Sequence, residues 1–508
     1  MTQLLPEKVT THARGRPDDP AIIGESETIS YGQLEARSSA AASGLLARGF
    51  QPGMRIAFLA GNQPATLVAW LAILKAGGSA VALPQGVSAD ALRRILDDCG
   101  AKFVIADGSL ELTRSLWPGK AERWSEPLML VSPQGEGLEP FGQLCATAPR
   151  GLPELEAADE FNIIYSSGTT GVPKGIVHTH GIRVARIDLL VQGGGFGPGS
   201  RVLVTTALYT NWSAIAVITT FHAGGAIVLP GHFSVEPYLR ALRAQGITHS
   251  FIVPAQLTRL LDHPDFDASV AGTSTVKYCA GAPLSASRKR EAVARWPGAF
   301  LEIYGMTEGA ASSLLHANEH PDKLDSVGRP VPGTACYILG PDGSVLPPGE
   351  VGEITGGSTV SMPGYHNRPD LTAAIRWTAP DGTPCYRSGD LGWLDADGFL
   401  HVSGRLKDMI VSGGMNIYAA DLEEIVATHP DVAEAAVIGI PSEQWGETPL
   451  AAVVLKPGRS VDAESIRQWA NARLGKYQRL SRVEICDALP RGSLDKVAKR
   501  ELLRRFAG

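Results

Sequence analysis

The sequence predicts an α/β protein with a large N-terminal domain of parallel-type sheets covered by helices, a β-rich subdomain, and a small C-terminal α/β domain. Three observations carry this. Short β-branched runs alternate with helical stretches along the first part of the chain, the pattern of strand–helix–strand crossovers. Between about residues 325 and 403 proline and glycine become frequent and strand-like runs dominate. After the charged segment GRLKD (404–408) a fresh mixed α/β pattern of about 100 residues begins, an ordinary size for a domain.

The elements follow in order. MRIAFLAG (54–61) reads as a strand, ATLVAWLAILKAG (65–77) as a helix and AVAL (80–83) as a strand. ADALRRILDDCG (89–100) is a helix and KFVIAD (102–107) a strand. The alternation resumes with RVLVTTA, AIAVITTFHAG, GAIVLPG, VEPYLRALRAQG and THSFIVPA. ACYILG, GEITGG and FLHVSG are strands of the β-rich part. Beyond residue 408 the reading is a helix within 409–430, the strands AAVIGIP and AAVVLKPG, the helix AESIRQWANARLG and the short strand RVEICD. The domain boundaries are thus 1–404 for the large domain and 409–508 for the small one. The short charged linker 405–408 suits a hinge better than a floppy tether.

At 508 residues the chain exceeds one ordinary core, and 44% apolar with 19% charged residues is the composition of a soluble globular protein. A formal charge of −6 gives no basic excess for nucleic acid, so no nucleic-acid partner is expected. The six cysteines are scattered without a CxxC pair, which argues against zinc or a redox dithiol and fits reduced thiols in the cytoplasm. The start lacks an apolar core of signal-peptide length. TLVAWLAILKAGGSAVAL (66–83) is the most membrane-like stretch, but Lys75 and Gly77-Gly78 interrupt it. It reads as a buried helix and strand, and no membrane span is expected.

The stretch YSSGTTGVPKG (165–175) concentrates glycines, hydroxyls and one lysine after the apolar run 161–164. Glycines let backbone N–H groups close around an anion, hydroxyls donate further bonds and lysine adds a point charge. The P-loop pattern GxxxxGK[ST] fails, because Lys174 lies between Pro173 and Gly175. The alternatives are a different phosphate loop and an ordinary surface turn. Four further stretches stand out: LEIYGMTEG (301–309), YRSGDLG (386–392), GRLKDMIVSGGMNIY (404–418) and LPRGSLDKVAKREL (489–502). Singly, each has a dull reading as a turn, a cap or a solvated charge.

Together, and in this order, these stretches resemble the acyl-adenylate-forming superfamily: acyl- and aryl-CoA synthetases, stand-alone adenylation domains and beetle luciferases. The type most similar is the AMP-forming carboxylate–CoA ligase, and the resemblance covers nearly the whole chain. It implies that Ser166, Ser167, Thr169, Thr170 and Lys174 cradle the β- and γ-phosphates of ATP, with Gly168 and Gly171 supplying backbone freedom. Thr307 reaches the α-phosphate and Glu308 holds Mg²⁺. Tyr304 stacks on adenine beside Gly281 and Ala282. Asp390 accepts from the ribose hydroxyls, assisted by Arg405. Lys496 bridges the substrate carboxylate and the α-phosphate. Lys407 stands at the hinge about which the small domain turns, bringing residues 412–416, with Gly413 and Gly414, to the site for a second step.

The resemblance also locates the acid pocket. Tyr209, Asn211 and Trp212 of TTALYTNWSAIAV are candidate lining residues, with Ala280, Gly305, Met306 and Ala311 opposite; Ile215 reads as plain core. Amino-acid-activating relatives carry an aspartate near Asn211-Trp212, and none is present. An acid without an α-amine is implied. Many CoA ligases carry histidine after the Phe or Tyr where this chain has Tyr209-Thr210. Asp495 replaces the glycine usual before the late lysine, and Tyr477-Gln478-Arg479-Leu480 replaces Tyr-Lys-x-Pro. Trp445 matches a tryptophan that some relatives place against CoA, and Arg479 remains as a phosphate-binding cation. The expected partners are a small carboxylic acid, ATP and CoA; an amine acceptor is the alternative chemistry, and a non-catalytic acyl- or nucleotide-binding protein is the alternative class. A monomer or homodimer is expected.

Overall fold

The structure is a computed structural model. It describes all of the chain except residues 1–2, 86, 118–127, 132–137, 149–150, 167–173, 268–273, 413–414, 443–444, 476–477, 493–495 and 507–508. Its architecture is the mixed α/β class that the crossover pattern predicts. Among the described residues, two large sheets form the bulk of the N-terminal part. One has its parallel centre in Phe103–Ala106, Arg55–Leu59, Ser79–Ala82 and Glu160–Ser166, and ends on Lys174–Thr179, antiparallel to Glu160–Ser166. The other runs parallel from Ala299–Tyr304 through Val276–Ala280, His249–Ile252, Arg201–Val204 and Ala226–Leu229 to Pro20–Gly24. Antiparallel strands close the edges of both.

A single core spans the two sheets. Phe58 of the first and Val202 of the second belong to it, with helices Pro64–Lys75 and Asn211–Ala223 between them. That position explains the membrane-like stretch. Helix Pro64–Lys75 is apolar all round because every residue except Ala65 is buried. Its one cation, Lys75, ion-pairs with Glu35 at 2.7 Å and donates to Ser39 Oγ at 2.9 Å. No helix among the described residues is long and apolar enough to cross a membrane.

Helix Asn211–Ala223 starts where Thr210 Oγ1 accepts the backbone N–H of Ser213, and stops at Gly224 in the left-handed region (φ 79°). These two signals fix where the helix N-terminus points, and that end carries candidate pocket residues.

The β-rich part is an antiparallel sheet of Ala335–Leu339, Gly352–Gly357, Pro384–Leu394, Arg376–Thr378 and Leu400–Arg405. It also holds a helix, Pro369–Ile375. The chain then makes a 3₁₀ turn, Leu406–Asp408, and enters a separate sheet with its own core around Leu422, Val437 and Ala451. Two departures from the sequence reading fall here. Ile410–Ser412 and Met415–Ile417 form a short antiparallel pair ahead of the helix Ala419–Ala427. Strands Val432–Ser442 and Gly446–Leu455 are longer than the apolar runs that announced them, because they pair with each other along their length.

Candidate active site

The loop between strands Ala299–Tyr304 and Ser313–His316 carries Gly305, Met306, Thr307 and Glu308. Glu308 is nearly buried, and its Oε1 accepts the hydroxyl of Tyr365 at 2.8 Å. The Tyr365 ring also lies under Lys174, whose Nζ is 5.2 Å from the ring centroid. One aromatic side chain therefore ties the lysine of the glycine-rich stretch to the candidate metal ligand. Sequence reasoning missed Tyr365; the available signal was a lone Gly-Tyr in the proline-rich segment ahead of helix Pro369–Ile375.

The carbonyl of Thr307 is held from beneath. His178 Nε2 approaches it at 2.9 Å, and Arg183 NH2 faces His178 Nδ1 at 3.3 Å. A guanidinium only donates, so the ring proton belongs on Nε2, where it donates to Thr307. Burial, then Arg183 and Arg186, hold the His178 pKa well below the usual imidazole value, so the ring stays neutral. Arg186 donates to the carbonyl of Val360 at 2.9 Å; burial pulls its pKa down to about 10, and the Glu308 charge opposes the shift. Gly309 sits at φ +77°, and a side chain there would overlap Arg186. Arg183 is also fully buried and shifted down by burial and by Arg186. It donates through Nε and NH2 to Asn162 Oδ1 at 3.1 and 3.0 Å, and through NH1 to Asn211 Oδ1 at 2.7 Å. This cationic layer under the loop was not legible as a motif.

Asp390 lies on strand Pro384–Leu394, and its register partner on the next strand is Arg405. Tyr304 donates its hydroxyl to Asp390 Oδ2 at 2.9 Å, and Arg405 Nε donates to Oδ1 at 3.1 Å. Lys496 reaches the same cleft from the small domain. Its side chain is exposed. Partial desolvation of the ammonium lowers its pKa, Arg405 and Lys407 lower it further, and Asp390 and Glu308 pull it up. Lys174 and Glu308 are thus joined through Tyr365, Tyr304 and Arg405 both hold Asp390, and Tyr304 shares its segment with Thr307 and Glu308; Lys407 sits in the 3₁₀ turn after Arg405. Gly281, at φ 100°, and Ala282 follow the end of strand Val276–Ala280.

Ser167, Gly168, Thr169, Thr170, Gly171, Gly413 and Gly414 lie outside the described residues, and of Ser166 the backbone alone is described. Trp212 is a core residue: its indole N–H donates to the Ile252 carbonyl at 3.1 Å, and its ring packs on Phe251. Ala311 packs with Ile338, Ile354 and Leu400 in the β-rich layer. Tyr209 and Asn211 are partly exposed, Ala280 is nearly buried, Gly305 is exposed, and Met306 packs toward Met362 and Tyr365. Trp445 and Arg479 are exposed on the small domain.

The AMP-binding enzyme family model matches residues 9–366, and that of the AMP-binding enzyme C-terminal domain matches 421–496. The chain belongs to the AMP-binding enzymes. Among relatives of this AMP-binding enzyme, a feruloyl-CoA synthase of Amycolatopsis sp is 34% identical, over 97% of this chain and 97% of its own. The ATP-bound structure of MatB from Rhodopseudomonas palustris superposes with a TM-score of 0.85 at 29% identity, covering 98% of this chain and 99% of that one. The amide bond synthetase McbA from Marinactinospora thermotolerans gives 0.84 at 27% identity, covering 99% and 100%. An adenylate-forming ligase is the activity these likenesses support.

Proposed function

We propose that this AMP-binding enzyme activates a carboxylic acid with ATP, releasing pyrophosphate and forming acyl-AMP, and then transfers the acyl group to CoA. The observation that carries the reading is the pair of held carboxylates: Glu308 accepts from Tyr365, whose ring lies under Lys174, and Asp390 accepts from Tyr304 and Arg405. A carboxylate oxygen of the acid attacks the α-phosphorus, and the bond to pyrophosphate breaks. Both reactants are anions, so charge neutralisation and alignment supply most of the catalysis. Lys496 bridges the carboxylate and the α-phosphate. Thr307 donates to the α-phosphate, and Lys174 with the glycine-rich stretch holds the outer phosphates. Tyr304 flanks the adenine with Gly281 and Ala282, and Asp390, steadied by Arg405, accepts from the ribose. Glu308 fits a Mg²⁺ ligand: Tyr365 takes one carboxylate oxygen, which leaves the other for a hard ion that keeps several waters. When bound by Glu308, the ion would neutralise phosphate charge.

The second step requires a different face of the small domain. Domain 409–508 turns on the hinge 405–408 at Lys407, which withdraws Lys496 and brings residues 412–416 to domain 1–404. The CoA thiolate then attacks the acyl carbonyl, and AMP leaves. Trp445 and Arg479 are exposed on the small domain and available to adenine and phosphate groups of CoA. The likeness to a feruloyl-CoA synthase at 34% identity supports this acceptor. The likeness to an amide bond synthetase favours one second reading, in which an amine takes the acyl group from the same adenylate.

Mass spectrometry of products from ATP, Mg²⁺ and a panel of acids, run in parallel with CoA and with amines, tests the reading. Acid-dependent AMP and a thioester are expected. An amide without any thioester would replace CoA by an amine, and no acid-dependent pyrophosphate release would overturn adenylation itself.

A further inference from the structure

Helix Ala89–Cys99 has two carboxylates, Asp97 and Asp98, and no basic residue in its last turn. Negative charge is disfavoured there, beside the unpaired backbone carbonyls. Asp97 is exposed, but the Asp98 side chain is only 14% exposed. Each Asp98 carboxylate oxygen accepts one bond: Oδ2 from the Tyr165 hydroxyl at 2.6 Å and Oδ1 from Arg368 NH2 at 2.9 Å. Its backbone carbonyl faces His366 Nε2 at 3.1 Å. Burial, then Asp98, hold the Tyr165 pKa above the usual phenol value, so the hydroxyl stays a donor. These partners stand on the two segments that carry Lys174 and Tyr365. Tyr165 opens the glycine-rich stretch, and it pairs in register with Gly175 as Ser166 does with Lys174. The His366 backbone N–H donates to the Gly175 carbonyl at 2.7 Å, and Tyr365 forms a β-bridge with Ile176. A side chain at Gly175 would press into Ile163 and crowd Tyr165 and His366, so the junction closes only around a glycine. Asn367, in the left-handed region (φ 51°), turns the chain where Arg368 returns to Asp98.

We propose that Asp98 is a positioning residue for the ATP phosphates: through Tyr165 on one side and Arg368 on the other, it fixes Lys174, Tyr365 and Glu308 relative to one another. The inference rests on the adenylation reading above, in which Lys174 meets the outer phosphates and Glu308 the metal ion. Tyr365 already links those two, with its ring under Lys174 and its hydroxyl on Glu308. Asp98 holds the strand pair that ends on Lys174 against the segment that carries Tyr365, so the ammonium and the carboxylate are set before the nucleotide arrives. Without that hold, nucleotide binding must itself order the two segments, which weakens it. A carboxylate is the group the junction needs. It accepts from both donors at once, whereas an asparagine offers one acceptor and turns an NH₂ toward the other donor. That requirement explains an acid in a helix turn where local electrostatics disfavours one.

Pyrophosphate release from the full-length enzyme, at varied MgATP and at varied acid, tests this with Asp98→Asn, Arg368→Gln, the two combined and the neighbouring Asp97→Asn. Asp98→Asn should raise the KM for MgATP on the order of tenfold and leave the KM for the acid within about twofold. Arg368→Gln should move the same KM, and the double variant should be no worse than Asp98→Asn alone, because the arginine acts through Asp98. Asp97→Asn should match wild type. Tyr165→Phe removes only the hydroxyl and should also raise the KM for MgATP, which keeps the test decisive if Asp98→Asn fails to fold. A merely structural role would lower kcat with the folded fraction and move neither KM. That result, or a wild-type KM for MgATP in Asp98→Asn, would overturn the proposal. Calorimetric binding of MgATP reads the clamp without turnover. Weaker binding in Asp98→Asn, in an enzyme whose wild type releases no pyrophosphate with any acid, would overturn the adenylation reading and leave the clamp standing. Equal binding in variant and wild type, with acid-dependent pyrophosphate release intact, would do the reverse.

Discussion

Arg405 and Asp390 face each other across adjacent antiparallel strands as register partners, and Arg405 Nε donates to Asp390 Oδ1 at 3.1 Å. The pair stands at the last strand of the β-rich sheet, immediately before the 3₁₀ turn that leads into the small domain. Tyr304 holds the other carboxylate oxygen. A carboxylate so oriented is poised to accept from a diol. Asp390→Asn should raise the KM for ATP by roughly ten- to a hundredfold, the worth of charge-assisted hydrogen bonds at about 1.5–3 kcal/mol. Steady-state pyrophosphate release at varied ATP checks this; an unchanged KM would remove Asp390 from the nucleotide site.

Tyr365 joins Lys174 to Glu308. Tyr365→Phe keeps the ring beneath the lysine and deletes the hydroxyl that Glu308 accepts. The first half-reaction should slow about tenfold, and the Mg²⁺ concentration at half-maximal rate should rise. A Mg²⁺ titration of the variant against wild type measures both. A slower rate at an unchanged Mg²⁺ midpoint would separate Glu308 from the metal.

On the proposed mechanism Lys496 must be cationic to bridge two anions. Its pKa lies below the ordinary lysine value of 10.5, through desolvation and then Arg405. Adenylation should therefore fall as pH rises through that lowered pKa, giving an alkaline limb below 10.5. In Lys496→Arg the side chain stays charged across this range, so whatever activity remains should lack the limb. A pH–rate profile of pyrophosphate release with an alkaline limb surviving in the arginine variant would assign that limb to another group.

The proposed hinge makes a separate prediction. Lys407→Pro fixes one soft dihedral in the 3₁₀ turn Leu406–Asp408. Single-turnover assays should find acyl-AMP formation largely spared and acyl transfer slowed at least tenfold. Equal rates for transfer in variant and wild type would rule out rotation about this residue.

The crossover architecture was legible because buried parallel strands leave continuous β-branched runs and the helices between them leave apolar or amphipathic ones. Helix Pro64–Lys75 was recognisable as buried since Lys75 breaks what otherwise reads as a span. The hairpin ahead of helix Ala419–Ala427 was not, because three-residue strands are too short to express a period of two. The candidates Glu308, Asp390 and Lys496 could be named from the sequence because they stand in local signatures. His178, Arg183 and Arg186 carry no such signature. Their meaning depends on Thr307, Asn211 and Val360, which are distant in sequence and meet only in the fold. Trp212 looked like a pocket wall, but its indole N–H is spent on the Ile252 carbonyl.

The central claim is that Lys496 serves the adenylation step and not the transfer step, and one measurement reaches it most directly. Lys496→Ala and wild type are assayed for two half-reactions: pyrophosphate release from ATP and acid, and thioester formation from CoA and pre-made acyl-AMP. Adenylation should fall by at least about a hundredfold, the loss of a charge-assisted contact to developing charge. Thioester formation from the supplied adenylate should continue at a rate near that of wild type. Equal loss of both half-reactions, or adenylation that survives without the lysine, would contradict the account.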